Sequence, residues 1–160
     1  SASNRQAVRV SAMQLLPKDG TGSFRAVAGA ISALAALYYQ KLVLKGYSLL
    51  QEEVQAAFIE EVKRYAGWQS LTCQKVSTVP IAVDEHLILE AFEWVIIEPC
   101  VKANCDLIQA SLVEASRSMG TEGFGMSVSE AEQAYEAEKE KMPKNAFVQP
   151  PFSFKTLGGQ

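Results

Sequence analysis

The chain contains one histidine, and it lies among carboxylates that could support acid–base or metal chemistry. His86 follows Asp84 and Glu85 and precedes Glu90. A carboxylate beside an imidazole can move a proton or help to bind a metal ion. Acidic residues at the start of a predicted helix are better explained by the helix dipole, because negative charge is stabilised at a helix N-terminus. We therefore predict that Asp84 caps a helix and that His86 belongs to neither a catalytic nor a metal site.

Three cysteines are the other residues with reactive side chains. Cys73, Cys100 and Cys105 are odd in number, so they cannot all pair, and their spacing matches neither a CxxC motif nor a zinc finger. None lies in a nucleophile motif, and any serine or cysteine triad would have to use the same single histidine. We expect buried, reduced thiols in a reducing cytosol, no cofactor and no enzymatic activity.

A glycine-rich run could be mistaken for a phosphate-binding loop. The sequence Gly-Thr-Glu-Gly-Phe-Gly occupies residues 120–125. Phosphate loops follow a strand and continue into Gly-Lys-Ser or Gly-Lys-Thr, whereas this run follows a predicted helix and lacks that continuation. The glycines are more typical of tight turns, and we expect Phe124 to anchor the loop.

Length, composition and charge indicate one globular domain that is not dedicated to nucleic acid. The chain has 160 residues, of which 48% are hydrophobic and 21% are charged, and its net charge is −3. Nucleic-acid binders usually carry a net basic face. Positive charge is concentrated in the first 25 residues, where Arg5, Arg9 and Arg25 are candidate basic contacts. This asymmetry could favour head-to-tail association of copies, and an accidental distribution explains it equally well.

No segment has the features of a signal peptide or a membrane span. Residues 1–14 contain no continuous apolar region of the kind a secretory signal needs. The longest apolar stretch, residues 26–39, is shorter than the ~18–20 residues that cross a bilayer. We expect a soluble protein that does not contact a membrane.

Apolar residues recur at helical spacing along most of the chain. The pattern predicts a mainly α fold, a helical bundle of about four long helices near 24–45, 49–66, 85–119 and 128–142. Proline removes a backbone donor and its ring clashes with the preceding turn, so we expect a break near Pro99 and an end at Pro143. The predicted core residues are Leu34, Phe58, Val62, Trp94 and Ile108.

Capping signals and charge define the ends and outer faces of these helices. Ser48 with Gln51, and Ser127 with Glu130, have the spacing of capping boxes. Gly46 and Gly67 are placed to end the first two helices. The outer faces of the second helix are predicted to carry Glu52, Glu53, Glu60, Glu61, Lys63 and Arg64.

Three segments are predicted to be non-helical. Residues 6–16 fit a short strand or an extended N-terminal arm, and residues 68–83 fit a loop with one or two extended pieces. Adjacent prolines exclude a helix near the C-terminus. We therefore divide the chain into a helical domain over 1–146, with its N-terminal arm, and an extended C-terminal arm over 147–160.

The C-terminal arm carries the most informative candidate site. It is too proline-rich to build its own core, and exposed aromatic residues near a terminus usually mark a contact surface. The sequence leaves two alternatives open for these aromatic residues, which are packing against their own domain and packing against a partner. The candidate protein-interaction residues are Phe124, Phe147, Pro150, Pro151, Phe152 and Phe154.

Four consecutive segments carry a family resemblance. They are Glu-Ala-Ser-Arg-Ser-Met-Gly at 114–120, Phe-Gly-Met-Ser at 124–127, the acidic helix at 129–142, and the closing residues 143–154. In this order they resemble the head-to-tail connector proteins, also called adaptor or neck proteins, of tailed bacteriophages. The resemblance is general over the chain and sharpest over 112–154.

This resemblance implies a structural virion protein of the phage neck, made in the host cytoplasm. Such proteins form a ring that matches the twelve-fold portal, connect head and tail, and continue the channel through which DNA passes as cargo. The implied partners are the portal, other neck or tail proteins and further copies of the chain, reached by an extended terminus. The residues alone leave open a small helical protein-interaction regulator acting as a monomer or dimer.

Overall fold

The fold is mainly α, which confirms the predicted mainly α class. A computed structural model of the chain describes residues 13–15, 26–117 and 125–147. The elements are β1 (Gln14–Leu15), β2 (Ala26–Ala30), α1 (Ile31–Leu44), α2 (Gln51–Ala66), α3 (Thr72–Lys75), β3 (Ile88–Glu90), α4 (Ala91–Arg117) and α5 (Val128–Ala146).

Two segments predicted as the first turns of helices are strands instead. β2 lies at the centre of an antiparallel sheet of order β1-β2-β3, so the predicted helix 24–45 begins only at Ile31. β3 likewise occupies part of the predicted helix 85–119. Pairing with two neighbours supplies backbone hydrogen bonds that outweigh the modest helix propensity of alanine. A bulge between Val27 and Gly29 is accommodated by a φ of 132° at Gly29, a conformation that favours glycine.

The predicted N-terminal strand is seen at its C-terminal end. Gln14 and Leu15 pair with Val27 and Ala26. Residues 6–12 of the predicted arm lie outside the described residues.

The end of α1 follows the glycine signal read from the sequence. Gly46 has a φ of 93°, its N–H donates to the carbonyl of Val43 at 3.0 Å, and Tyr47 donates to Leu42 at 3.0 Å. This is the Schellman arrangement, which satisfies carbonyls that the helix leaves unpaired. The next predicted stop is also correct, because α2 ends at Ala66 and is followed by Gly67.

The beginning of α2 differs from its predicted cap. Leu50 is the N-cap, and its N–H donates to the carboxylate of Glu53 at 2.8 Å, which is one half of a capping box. Ser48 is therefore not the cap. Its backbone N–H and hydroxyl instead donate to the side-chain oxygen of Gln109, at 2.7 and 3.3 Å. The hydroxyl thus ties the α1–α2 connection to α4.

The segment 68–83 contains a short helix and turns, and the extended pieces predicted there are wrong. α3 forms at Thr72–Lys75, and no strand lies anywhere in this fully described stretch. Val76 and Val79 are 76% and 67% exposed. Without a neighbouring strand or a buried face, β-branched residues have little reason to adopt a strand.

Asp84 does not cap a helix, which corrects a second predicted start. Its carboxylate accepts from the N–H of His86 at 2.9 Å, and its carbonyl accepts from Leu87 at 3.2 Å. This local turn leads into β3, and α4 begins only at Ala91.

Both internal prolines lie inside continuous helices. α4 runs for 27 residues through Pro99, and α5 runs for 19 residues through Pro143, so the predicted break and the predicted end at residue 142 are wrong. Each proline removes one hydrogen bond. The packing of α4 along α2 and α5 offsets that loss. The predicted Ser127 cap of α5 is confirmed, because its hydroxyl accepts from the N–H of Glu130 at 3.2 Å.

The core lies where α2, α4 and the sheet meet, with α1 packed on α2 and α5 packed along α4. Of the predicted core residues, Phe58 and Val62 are fully buried. The other three, Leu34, Trp94 and Ile108, are half-buried and pack against the core.

Candidate functional site

Most residues of the predicted interaction site lie outside the described residues. They are Phe124, Pro150, Pro151, Phe152 and Phe154, together with the candidate basic contacts Arg5, Arg9 and Arg25.

Phe147 is described, and it is 63% exposed at the end of α5. The side chain of Gln69 donates to the carbonyl of Ala146 at 3.3 Å, so Phe147 lies near the C-terminal end of α2. Trp68, which precedes Gln69, is 50% exposed. Phe147 therefore lies at an end of the domain that carries two exposed aromatic residues, which we call the α5 end.

A second apolar surface lies between α1 and the start of α4. It is a groove of about 630 Å³, which we call the α1–α4 groove. Leu37, Leu44 and Val95 on its walls are 52%, 88% and 70% exposed. Pockets that hold ligands usually measure about 300–1,000 Å³ and are mainly apolar. The groove is thus large enough to receive several side chains of a partner.

The floor of the groove is aromatic and is held by the core. The ring of Trp94 stacks on the buried ring of Phe58, with centroids 4.8 Å apart and planes at 12°. Tyr38 meets both rings edge-on, at 5.6 and 5.9 Å. Such pairs are stabilising beyond the area they bury, and they restrict ring movement. The shape of the floor is therefore largely set before any partner arrives.

One polar pair crosses the groove. The hydroxyl of Tyr38 on α1 donates to Glu98 on α4 at 3.1 Å. Burial, followed by the neighbouring carboxylate of Glu98, raises the pKa of Tyr38 above its ordinary value, so the phenol stays protonated and remains a donor. The pair joins α1 to α4 and places a carboxylate beside the aromatic floor, in a lining whose other polar residues are Gln40 and Lys41.

Sequence reasoning did not single out this groove. Its apolar residues were assigned to the interiors of predicted helices. The available signal was that α1 is apolar around much of its circumference, with Leu34, Leu37 and Leu44 in addition to the buried Ile31 and Ala35. Which of these residues stay exposed depends on how many sides of α1 pack against other helices and strands.

On its other sides α4 takes part in a group of polar side chains around one buried carboxylate, that of Glu61. We call this group the polar cluster, and it comprises Glu60, Glu61, Arg64, Asn104 and Tyr135. Glu61 is fully buried, which corrects its predicted place on an outer face. It lies three residues after Phe58 and four before Tyr65, so the helical spacing of the apolar stripe includes it. That spacing was the missed signal.

The buried carboxylate of Glu61 has partners from three helices. The hydroxyl of Tyr135 on α5 donates to it, Arg64 pairs with it at 3.0 Å, and the amide of Asn104 on α4 donates at 3.3 Å. Burial, followed by the hydrogen bond to Glu61, raises the pKa of Tyr135 above its ordinary value, so the phenol stays a donor. A buried charge is tolerated when it is paired and hydrogen-bonded in this way.

A second buried carboxylate, Glu93, ties three elements together. It accepts from the N–H of Thr72 at 3.0 Å and from that of Glu90 at 2.8 Å. These bonds join the start of α3 and the end of β3 to the first turn of α4. Burial raises the pKa of Glu93 and outweighs the two hydrogen bonds, which lower it.

The residues first considered for chemistry are not assembled into a site. The side chain of His86 is 80% exposed and lies 3.4 Å from Glu85. Across the described part of the chain, no group of three or more His, Cys, Asp or Glu residues could hold a metal ion. Cys100 and Cys105 are buried, which raises the pKa of each thiol to about 12, and the half-buried Cys73 is raised as well. Buried thiols with so high a pKa are poor nucleophiles at neutral pH.

A smaller cavity of about 250 Å³ lies at the opposite end of α4 from the groove. The hydroxyl of Tyr47 donates to Asp106, and Lys102 pairs with Asp106 at 2.8 Å. The hydroxyl, the carboxylate and the ammonium thus have one another as hydrogen-bond or ion-pair partners. The cavity therefore carries fewer features of a binding site than the α1–α4 groove.

Among the helices of the described residues, none is long and apolar enough to cross a membrane. No protein-family model matches the chain, and no curated protein or solved structure shows significant similarity to it.

Proposed function

We propose that the chain is a structural virion protein of a phage neck, which assembles as a ring beneath the portal, connects head and tail, and continues the DNA channel. It acts through contact surfaces, without enzymatic activity or cofactor. The sequence resemblance over 112–154 supports the neck assignment. The observation that carries the assembly role is the α1–α4 groove, since an apolar surface rimmed by polar residues is typical of a protein interface.

The position of the exposed apolar surfaces favours a ring over a simple dimer. The groove is on α1 and α4, whereas Trp68 and Phe147 lie at the α5 end. A two-fold dimer needs one self-complementary patch, but a contact between two unlike surfaces repeats from copy to copy and closes into a ring when the rotation fits. The α1–α4 groove and the α5 end provide two unlike surfaces for such a contact.

Native mass spectrometry with electron microscopy of the purified chain, alone and with portal rings, tests this proposal. We expect a closed ring, with twelve copies if it matches the portal, and binding of that ring to portal rings. Leu44→Glu places a charge in the groove and should shift the mass toward single chains. Val76→Glu, at a 76% exposed valine just after α3, is the matched control and should leave the ring intact.

A particle of one or two copies at every concentration would contradict the ring, and the helical regulator would then be the better description. Rings that ignore the portal but bind an unrelated protein would contradict the neck assignment alone.

A further inference from the structure

We infer that the α1–α4 groove of one copy binds the C-terminal segment 148–155 of a second copy, with Pro150, Pro151 and Phe152 on its aromatic floor. This inference deepens the proposed function and rests on it, because it names the partner of the groove. The arguments concern the chemistry of the floor, the charge in the groove, and the origin of the segment.

The chemistry of the floor suits a proline-rich segment. Tyr38 and Trp94 present aromatic rings fixed by Phe58, and Leu37 and Val95 form apolar walls. Grooves lined by aromatic residues bind proline-rich peptides, because consecutive prolines favour an extended helix that loses little entropy on binding. The sequence Pro-Pro-Phe-Ser-Phe at 150–154 combines two prolines with two aromatic anchors.

The charge in the groove fits the same segment. Residues 148–160 carry one charged side chain, Lys155. The groove offers the carboxylate of Glu98, held by Tyr38. A lysine at the edge of an apolar contact can pair with this carboxylate while its stem covers the apolar wall. Lys41 also lines the groove, but it is exposed, and a long lysine stem can keep its ammonium in solvent while covering apolar surface.

We assign the segment to a second copy, because a contact between two unlike surfaces of adjacent copies is what the proposed ring requires. The groove has apolar surface to offer such a copy, since Leu44 and Val95 are 88% and 70% exposed. The segment begins directly after Phe147 at the α5 end. The seven residues 148–154 can span at most about 25 Å when extended, which is enough to pass from one copy onto an adjacent one.

Photocrosslinking in the full-length chain tests the inference. A photoreactive benzoylphenylalanine replaces Phe152, and this chain is mixed with an unmodified chain labelled with heavy nitrogen. We expect heavy–light crosslinks that join residue 152 to α1 or to residues 94–98 of the other copy. Crosslinks confined to one isotope, or heavy–light crosslinks to other surfaces, would overturn the inference.

Substitutions in the groove provide the matched comparison. Leu37→Glu and Val95→Glu, one on each wall, should reduce the heavy–light groove crosslinks at least tenfold, and Val76→Glu should not. Both changed positions are more than half exposed, and circular dichroism would verify that each variant folds. Unchanged crosslinking in both wall variants would reject the groove as the docking site.

The outcome separates this inference from the proposed function. Rings seen by electron microscopy without groove crosslinks would leave the ring in place and refute the segment as its occupant. Groove crosslinks in particles of only two copies would support the docking and refute the ring.

Discussion

The two sides of α4 place side chains in opposite ways. Toward α1 it leaves Val95 exposed beside the leucines of the groove, and toward α2 and α5 it buries Asn104 beside Glu61 and Tyr135. Apolar residues are thus exposed on one side, and polar residues are buried on the other. Substitution of an exposed apolar residue should change the stability of a single chain little. The buried polar residues, in contrast, stabilise one another through their hydrogen bonds.

This difference separates stability from function within one helix. Removing one partner from a buried charged network leaves the others unsatisfied. Removing an exposed leucine changes the surface that a partner would meet and little else. Variants of the polar cluster should therefore change unfolding, and variants of the groove should change association. The following predictions, from the largest effect to the smallest, test that division.

Phe58→Ala should have the largest effect, because Phe58 belongs to the core and supports the groove floor through its stacking on Trp94. Its side chain is fully buried. The cavity and the lost burial should lower the free energy of unfolding by about 3–5 kcal/mol. Urea denaturation followed by circular dichroism measures this change. Phe147→Ala, the same substitution at a 63% exposed site, should cost far less, and an equal loss in both variants would contradict the assignment of the core.

Glu61→Ala should come next, at about 3 kcal/mol, since the two buried donors and Arg64 lose their shared buried acceptor. They retain the more exposed carboxylate of Glu60, at 3.2–3.7 Å. The side chain of Arg64 is 30% exposed and can turn toward water, which places the effect at the lower end of the usual range. Glu52→Ala, at an exposed position of the same helix, is the control. Equal denaturation midpoints for the two variants would show that the polar cluster does not stabilise the fold.

Glu93→Gln should change how stability depends on pH. The pKa of Glu93 in the folded chain lies above its ordinary value of 4.5, so the folded state binds this proton more tightly than the unfolded state. Stability from this group is therefore present below pH 4.5 and is lost as pH rises through the folded pKa. As the pH rises through the folded pKa of Glu93, the wild type should therefore lose stability relative to Glu93→Gln. A constant difference between their melting temperatures across the same range would contradict the prediction.

Leu44→Ser should change stability least, by no more than about 0.5 kcal/mol, because the residue is 88% exposed. Its effect should be on association, measured as a lower particle mass at the same concentration by analytical ultracentrifugation. A loss of stability comparable to that of Glu61→Ala would mean that the groove is part of the core.

Features set by nearby residues were predictable from the sequence. The stop at Gly46, the Ser127 cap and the burial of Phe58 and Val62 depend on spacings within one or two turns. Local spacing alone determines which face of an amphipathic helix is apolar.

Features that depend on residues far apart in the chain were not predictable from the sequence. β2 is a strand because β1 and β3 pair with it, and β3 comes about 60 residues later in the chain. Ser48 bonds to Gln109 on another helix, so its capping spacing was misleading. The groove depends on which sides of α1 receive neighbours. Glu61 is the intermediate case, since its position in the stripe was visible but its partners on α4 and α5 were not.

The continuity of α4 through Pro99 has a mechanical consequence. With 27 residues it forms a rod roughly 40 Å long, at a rise of 1.5 Å per residue. Trp94 and Glu98 lie near one end of this rod, and Gln109, which holds Ser48, lies toward the other. A force that a docked neighbour exerts on the groove would thus be transmitted along α4 to the opposite end of the subunit.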